Sequence, residues 1–491
     1  MGFSLLDYLV LALYLVGITI FGAMFRRSHR TVRDYFVGAK NTPWIVISLS
    51  IVATETSTLT LIGVPAIAYA KGGNLTYLQV VAGYVVARVL ISFVLIPAYF
   101  QGDLLTAYTL LERRFGPGAR RAAASLFLVM RPLADGVRIF ATSLVVSAVL
   151  ATSLPDLPHL WLWSILCVGV LTLIYTFEGG IAAVVWTDLI QLVIYVAGSV
   201  LAAWNLFGLI PGGWPTIVSH ASAAGKFQLL SFSFDPKETF TFWSGLIGGT
   251  FLTMASHGTD QLLVQRLFTC RNMRDSQKAL IASGVLVFAQ FVLFLGVGIM
   301  LYVHYQFTPA PPVTTTDGIF PAFIVRSLPH GVAGLVIAAI LSAAMSTLSG
   351  ALNSLSSTTI IDFYKPLFGG QVSDAALLRL SRWCTVAWGV VLIGIAIVAK
   401  DWGSVFTVGL TIASLVYGPM LGAFLLGVLT TRTNQTGVIA GMVVSLAVML
   451  LVKIRTPLAW TWYVVTGTVV CMAVGYAVSL IATAGETQRR A

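Results

Sequence analysis

VATETSTLT, residues 52 to 60, interrupts an apolar stretch that runs from WIVISLSI before it to LIGVPAIAYA after it. Five consecutive side chains, Thr54 to Thr58, carry a hydroxyl or a carboxyl group. A carboxylate at the centre of a bilayer-spanning helix costs roughly 2.5 to 3.5 kcal/mol on insertion scales. Such a cost indicates that Glu55 and its neighbours form a functional polar site inside a membrane span.

The composition is that of a polytopic membrane protein. Of the 491 residues, 57% are hydrophobic and 10% are charged, compared with about 25% charged in soluble domains. Apolar runs recur from residue 4 to residue 484, which predicts a single membrane domain, 1–491. The first run lacks a cleavage site and is expected to remain as a helix. The four cysteines are far apart and predict neither disulfides nor a metal site.

The apolar runs predict an all-α protein with about 13 transmembrane helices. They lie at about 4–24, 44–70, 75–101, 122–151, 160–177, 181–206, 239–260, 278–305, 331–361, 383–399, 404–428, 437–452 and 459–484. With the N-terminus outside and the C-terminus inside, the cytoplasmic loops hold 19 Lys and Arg and the outer loops hold seven, as the positive-inside rule requires. The net charge of +11 therefore follows the membrane, and no nucleic-acid partner is expected.

The polar run in the second predicted span indicates a broken helix. Irregular backbone at membrane depth is tolerated only where it faces protein or a water-filled cavity. Broken helices of secondary transporters bind solute and ions near the midplane, and their free carbonyls coordinate Na⁺. The alternative is an intact helix whose hydroxyls bond back to the preceding turn. The carboxylate of Glu55 favours the broken helix.

The ninth predicted span offers a matching set of oxygen atoms. In AAILSAAMSTLSGALNSLSSTTIIDFYK, residues Ala343, Ser346 and Thr347 share one helical face. Hard cations such as Na⁺ favour oxygen ligands. A helix of small residues can equally be a close-packing surface, so the ion-binding interpretation requires a partner helix.

Further charged residues fall inside predicted spans. Asp188 has no basic residue within four positions, which favours a cation or proton partner over an internal ion pair. An interfacial helix cap is the alternative. Arg131, Asp135 and Arg138 form one helical stripe. They are either an internal salt-bridge triad or, through a surplus positive charge, a partner for Glu55 or for a solute carboxylate.

The chain resembles the sodium:solute symporter family over essentially its whole length. The resemblance is carried by DYFVGAK, SIVATETSTLTLIGVPAIAY, GGIAAVVWTD, GTDQLLVQR, SAAMSTLSGALNSLSS and YGPMLGAFLLGVLTTR. It implies a five-plus-five inverted repeat (LeuT-like), with core repeats at about 44–206 and 239–428 and flanking helices at 4–24, 437–452 and 459–484. On that fold the broken helix and the Ser-rich helix face each other.

The resemblance also implies the sodium ligands. The sodium site shared by the family corresponds here to the carbonyls of Ala53, Thr56 and Ala343 and the hydroxyls of Ser346 and Thr347. Some members have a second sodium site, which Asp188, Ser346 and Ser349 match. Gly350 stands at its remaining hydroxyl position, so the choice between one and two Na⁺ per cycle is open.

The expected function is Na⁺-coupled import of a small polar organic solute by alternating access, in the plasma (inner) membrane. Na⁺ is the coupling ion, and no other metal, cofactor or enzymatic activity is expected. Residues expected to line the solute pocket are Glu55, Ser57, Thr60, Gln79, Arg138, Thr253 and His257. For Gln79 and His257, the alternative to lining the pocket is a structural role as hydrogen-bonding residues.

The class of solute is open among sugars, sialic acid, amino acids and carboxylates. Sugar carriers of the family have an amide and an aromatic gate where this chain has Glu55 and Ser256, which argues against a carrier of that type. The arginines favour a carboxylate. The alternative function is a membrane sensor on the transporter fold; such sensors carry a long cytoplasmic extension, and this chain ends about seven residues after its last predicted span. The oligomeric state is not predicted.

Overall fold

The computed structural model describes residues 3–25, 31–38, 40–102, 104–151, 157–313, 316–368, 372–402 and 405–490, which are mostly helical. Their first part contains α1 (Leu5–Ala23), α2 (Val32–Phe36), α3 (Trp44–Glu55), α4 (Thr58–Tyr69), α5 (Tyr77–Val94), α6 (Ile96–Tyr99), α7 (Thr109–Phe115), α8 (Pro117–Leu150), α9 (Leu160–Gly208) and α10 (Gly213–Ala223). An isolated bridge between Thr42 and Cys270 is the only β-type pairing among the described residues.

The second part contains α11 (Gly249–Gly258), α12 (Gln261–Phe268), α13 (Met273–Phe307), α14 (Ile319–Ser327), α15 (Val332–Thr358), α16 (Lys365–Phe368), α17 (Asp374–Val398), α18 (Val405–Leu429), α19 (Gln435–Arg455) and α20 (Tyr463–Arg490). A π-helical turn, Ser244–Gly248, leads into α11, and a second one, Thr359–Tyr364, continues α15.

All the predicted spans lie mainly in helix. Within the described ranges, nine helices are long and apolar enough to cross a bilayer, or ten if the bent pair α3 and α4 is one span. The other three predicted spans fall on α8, which carries buried charges, on the shorter apolar helix Leu160–Ile174 and on residues 244–258. The chain is an all-helical, multi-pass membrane protein. The helix count of 13, the orientation and the inverted repeat stay predictions.

The predicted break in the second span is present. α3 ends at Glu55, α4 begins at Thr58, and the two helices are bent by 65°. Between them Thr56 (φ −81°, ψ 99°) and Ser57 (φ −97°, ψ 172°) have extended backbone. Threonine and serine hydroxyls compete with the helical hydrogen bonds, which favours a break at this run over an apolar part of the span.

Two other interruptions shape the bundle. α11 ends at Gly258, and Asp260 then begins α12 by accepting a hydrogen bond from the Leu262 N–H at 2.9 Å. Within α9, Gly180 adopts φ 53° and ψ −155°. A Cβ at Gly180 would lie 2.6 Å from the carbonyl oxygen of Tyr35, and glycine adopts positive φ without strain. This kink separates the predicted spans 160–177 and 181–206.

α15 lies at the centre of the bundle. In its most apolar segment 83% of the residues are buried, the largest share of the nine long helices. It packs against α1, α8 and α9. Gly198 of α9 allows the close approach, because a Cβ there would lie 2.7 Å from the Ala339 Cβ. The buried serines and threonines of α15 therefore face protein rather than lipid.

Candidate functional site

Two neighbouring helices brace the end of α3. The Thr56 hydroxyl donates to the Val52 carbonyl at 2.9 Å and accepts from the Gln290 amide of α13 at 2.7 Å. The Tyr195 hydroxyl of α9 lies 3.4 Å from the Val52 carbonyl and 3.3 Å from the Gln290 amide oxygen. Because the helix ends at Glu55, the carbonyls of its last turn lack the N–H donors of a following turn.

The Ser-rich face of α15 lies against this turn. The Thr347 hydroxyl is 3.1 Å from both the Thr54 and the Ala343 carbonyl oxygens. The groups predicted to bind sodium are all at most 3% exposed: Ala53, Thr56, Ala343, Ser346 and Thr347. The structure thus brings the two helices together, as the family resemblance implies. The carbonyl of α3 that Thr347 contacts, however, belongs to Thr54, which was not among the predicted ligands.

Asp188 has a basic partner, so the expectation that it lacks an internal ion pair is wrong. Its Oδ2 accepts from Arg266 Nη2 at 3.0 Å, and its Oδ1 accepts from the Ser346 hydroxyl at 2.5 Å. Arg266 is fully buried in α12, although the positive-inside count placed it in a cytoplasmic loop. The Ser349 hydroxyl donates to the Ser346 carbonyl at 3.0 Å instead of to Asp188.

A cavity of about 130 Å³ lies beside the break in α3 and α4. Six of the residues predicted to bind solute line its wall: Glu55, Ser57, Thr60, Arg138, Thr253 and His257. Aromatic and aliphatic side chains complete the wall, among them Tyr84, Leu252 and Phe291. A mainly apolar pocket with a few convergent polar groups is the usual form of a small-molecule site.

Gln79 does not line this cavity. Its amide nitrogen donates to the carbonyls of Thr76 and Phe240, both at 3.1 Å. Its amide oxygen accepts from the Ser231 N–H at 3.1 Å. These bonds tie α5 to the segment that precedes α11, so Gln79 has the structural role that was its alternative.

Glu55 forms an ion pair with Arg88 of α5. The Glu55 Oε2 also lies 3.3 Å from His257 Nε2. Arg88 is completely buried and donates to the Tyr84 carbonyl at 3.0 Å and the Ser283 hydroxyl at 3.1 Å. The Glu55 side chain is 16% exposed, so it pairs with Arg88 and still presents a face to the cavity.

The predicted triad of Arg131, Asp135 and Arg138 is an ion-pair network that includes a fourth member, Asp260. Arg131 donates to both oxygens of Asp135, at 2.5 and 2.6 Å, and to Asp260 at 3.1 Å. Arg138 Nη1 donates to Asp135 at 2.6 Å. The Tyr417 hydroxyl donates to Asp260 at 2.7 Å. Both arginines line the cavity, but the Arg131 side chain is only 3% exposed, whereas that of Arg138 is 25% exposed.

The charges around the break and the cavity balance. In this part of the described structure the ion-paired groups are four arginines and four carboxylates: Arg88, Arg131, Arg138, Arg266, Glu55, Asp135, Asp188 and Asp260. The surplus positive charge predicted for the triad is therefore wrong, because Asp260 supplies the opposing charge. Buried charges need such partners because removing them from water is costly.

Arg88, Asp260 and Arg266 were not predicted as members of this site. A local signal existed, since Arg88 lies in an apolar span and the other two lie in GTDQLLVQR. An ionisable residue within a span is a functional candidate by default. Their partners are 33, 129 and 78 residues away in the chain, and sequence spacing does not reveal contacts of that kind.

Comparison with known proteins identifies the family. Residues 35–445 match the sodium:solute symporter family. The chain is 30% identical over 488 residues to the sodium/sialic acid symporter NanT of Aliivibrio fischeri, covering 97% of this chain and 93% of that protein. It is 29% identical over 461 residues to sodium-coupled monocarboxylate transporter 1 of Homo sapiens, covering 92% and 74%.

A solved structure has the same fold over nearly the whole chain. It shows the substrate-bound outward-open state of a Na⁺-coupled sialic acid symporter. The TM-score is 0.87 at 28% identity, and 98% of each chain is covered. These relatives are transporters, which points away from enzymatic activity. The chain belongs to the sodium:solute symporter family and is a membrane symporter that couples Na⁺ to the transport of a small solute.

Proposed function

We propose that the protein imports a small solute bearing a carboxylate, and that Arg138 binds this carboxylate. The carrying observation is that the Arg138 side chain reaches the cavity while its buried Nε has no hydrogen-bond partner in the described structure. Nη1 is held by Asp135, which orients the guanidinium. The edge formed by Nε and Nη2 then suits a planar, two-oxygen ligand, because guanidinium and carboxylate pair with two parallel bonds.

Two further features favour an anionic solute. α4 begins at Thr58, and the Ser57 side chain provides no cap. The positive end of the α4 dipole, uncapped by a side chain, therefore lies beside the cavity that Ser57 lines. The solutes named for two relatives are sialic acid and monocarboxylates, and both bear a carboxylate.

Na⁺ is proposed to bind where α3 ends against α15. The ligands would be the carbonyls of Ala53, Thr56 and Ala343 and the hydroxyls of Ser346 and Thr347. These groups are buried, neutral oxygen donors, which suits a hard monovalent cation. An ion held there would fix the break and, with it, Glu55 and Ser57 at the cavity wall. Binding of Na⁺ and of solute would then reinforce each other.

The remaining architectural features are proposed with the function. The chain forms one membrane domain in the plasma (inner) membrane, with 13 spans, the N-terminus outside and inverted repeats at about 44–206 and 239–428. The bias of Lys and Arg towards the predicted cytoplasmic loops supports the orientation. Alternating access would expose the cavity first to one side of the membrane and then to the other.

Uptake by proteoliposomes tests the proposal. Radiolabelled pyruvate, lactate and N-acetylneuraminate should be compared with neutral sugars, in inward gradients of Na⁺ or of choline. At least one carboxylate should accumulate only with Na⁺, and Arg138→Gln should lower its kcat/KM by about 30-fold or more, because losing a charge-assisted bond costs about 2 kcal/mol or more. The kcat/KM of Arg138→Lys should lie between those of the wild type and of Arg138→Gln.

A matched control is Arg121→Gln, which removes an exposed guanidinium from the same helix and should leave uptake unchanged. Na⁺-driven uptake of a neutral sugar that survives Arg138→Gln would overturn the carboxylate proposal. Binding of a carboxylate without any uptake would instead support the sensor alternative.

A further inference from the structure

Asp188 is satisfied by protein groups alone. Its Oδ2 accepts from Arg266 Nη2 and Nε at 3.0 and 3.3 Å, from the Ser50 hydroxyl at 2.5 Å and from the Thr54 hydroxyl at 3.2 Å. Its Oδ1 accepts from the Ser346 hydroxyl at 2.5 Å. Each hydroxyl donates its one hydrogen to the carboxylate, so hydroxyl and guanidinium donors together already occupy both oxygens of Asp188.

The Arg266 guanidinium fills the space beside Gly350. A Cβ at Gly350 would lie 2.8 Å from Nη2 and 3.2 Å from Nη1 of Arg266. Position 350 is where the family resemblance predicts the remaining hydroxyl of a second sodium site. The guanidinium is also fixed to its own helix, because Nη1 donates to the Leu262 carbonyl at 2.6 Å. A serine at position 350 and this placement of Arg266 exclude each other.

The charge of Arg266 is permanent. Guanidinium does not lose its proton in proteins, so Arg266 keeps its positive charge beside Asp188. A Na⁺ ion beside the same carboxylate would be repelled by the guanidinium and would have to displace its bonds. Asp188 is therefore already neutralised by a buried positive charge.

We propose that the Arg266 guanidinium takes the place of a second sodium ion beside Asp188, so that the protein carries one Na⁺ per cycle. The inference rests on the proposed sodium site at the end of α3, which shares Ser346 with this ion pair. Arg266 and Asp188 are positioning residues in this arrangement, because they orient Ser346 without contacting solute.

Equilibrium binding of ²²Na⁺ to the purified protein, without any solute, measures the number of sites. One Na⁺ per protein molecule is expected, with a Hill coefficient of 1. Two bound ions would overturn this inference and leave the proposed sodium site standing. No bound ion would overturn both. Because solute is absent, an error in the proposed carboxylate cannot affect the result.

Two variants test the role of the guanidinium. Arg266→Lys keeps a cation beside Asp188 and should still bind one Na⁺. Arg266→Gln combined with Gly350→Ser removes the cation, supplies a hydroxyl and should bind two. A folded double variant that binds only one ion would overturn the inference. If the double variant does not fold, the number of Na⁺ ions bound by the wild type and by Arg266→Lys still tests the inference, since two ions bound to either protein would overturn it.

Glycine substitutions give an independent readout. Gly350→Ser alone should lower the unfolding temperature, because the new side chain collides with the guanidinium. Gly296→Ser is the control, since a Cβ at Gly296 meets nothing within 4 Å. Arg266→Gln is itself expected to be less stable, because it leaves Asp188 without its buried partner. In that background Gly350→Ser should lower the unfolding temperature by less than it does in the wild type. Equal unfolding temperatures for Gly350→Ser and Gly296→Ser would contradict the close packing of Arg266 on position 350.

Discussion

Glu55 is less isolated in its membrane span than its position in the sequence suggests. Its carboxylate neutralises Arg88, a completely buried arginine, and lies beside His257. The cost of placing an acid in the span is thus offset by a basic partner in α5. Glu55 serves the cavity as one half of a neutral pair rather than as a free negative charge, so it does not oppose binding of a carboxylate at Arg138.

Glu55→Gln and Arg88→Met should each lower the stability of the protein more than expected from the change in side-chain volume. Removing one partner of a buried ion pair costs about 3 to 5 kcal/mol, because the remaining charge stays unpaired in a low-dielectric environment. The double variant should therefore be destabilised by less than the sum of the two single variants, with a coupling of at least about 1 kcal/mol. Thermal unfolding of the detergent-solubilised variants measures this.

Arg274→Met is the control for loss of an arginine, because Arg274 is exposed. It should have little effect alone and should add independently to Glu55→Gln. Additive effects of Glu55→Gln and Arg88→Met would show that the contact contributes no stability, and the ion pair would then not explain why Glu55 is tolerated.

For single residues, the sequence indicates contacts where the evidence is local. Arg131 and Asp135 are four residues apart on one helix, and their pairing was one of the two alternatives that this spacing left open. Glu55, Ser57 and Thr60 belong to one polar run, and all three line the cavity. Pairings between distant helices depend on how the bundle packs, which no spacing rule describes.

At the scale of helices, the break between α3 and α4 depends on α13. Gln290 of α13 donates to the Thr56 hydroxyl and contacts Tyr195, which in turn reaches the Val52 carbonyl. The unwound turn is therefore held by side chains of two other helices. This bracing orients the carbonyls that are proposed to bind Na⁺, although Gln290 itself is not a proposed ligand.

Gln290→Leu should raise the Na⁺ concentration for half-maximal uptake by about tenfold, because residues that orient metal ligands typically contribute 10-fold to 100-fold to affinity. Maximal uptake at saturating Na⁺ should change much less. Gln277→Leu is a matched control on the same helix, since Gln277 bonds the Ser92 carbonyl at 2.7 Å, away from the break. An unchanged Na⁺ dependence in Gln290→Leu would show that α13 does not shape the site.

The sequence predicted which segments are helical better than it predicted the residues at which the helices begin. Polar residues inside an apolar run predicted the position of the break, because such residues are costly in a membrane span unless they face protein or a cavity. The predicted spans, however, begin several residues late at α8, α13 and α17, which start at Pro117, Met273 and Asp374. Apolar runs report only the part of a helix that is surrounded by hydrocarbon. The charged first turns of these helices continue beyond it.

For the molecule as a whole, the notable property is that its buried ion pairs around the break leave no net charge. Four arginines and four carboxylates compensate one another, and the proposed sodium ligands are neutral. An anion alone or a cation alone would therefore add an uncompensated charge to a buried site, which is costly. Na⁺ and a carboxylate together add none, and this favours their binding as a pair. Electrostatic compensation thus provides a physical basis for coupling.

Transport of a monocarboxylate should accordingly be electroneutral. One Na⁺ and one carboxylate carry no net charge across the membrane, whereas each net charge that crosses 100 mV would contribute about 2.3 kcal/mol, or roughly 50-fold accumulation. Proteoliposomes with an inward Na⁺ gradient of about tenfold should therefore accumulate the solute about tenfold. A valinomycin-induced, inside-negative K⁺ potential should leave this level unchanged, with valinomycin in equal K⁺ as the control. Accumulation that increases with the potential would mean that one net positive charge crosses with each solute molecule. The ²²Na⁺ stoichiometry would then distinguish two Na⁺ transported with a carboxylate from one Na⁺ transported with an uncharged solute.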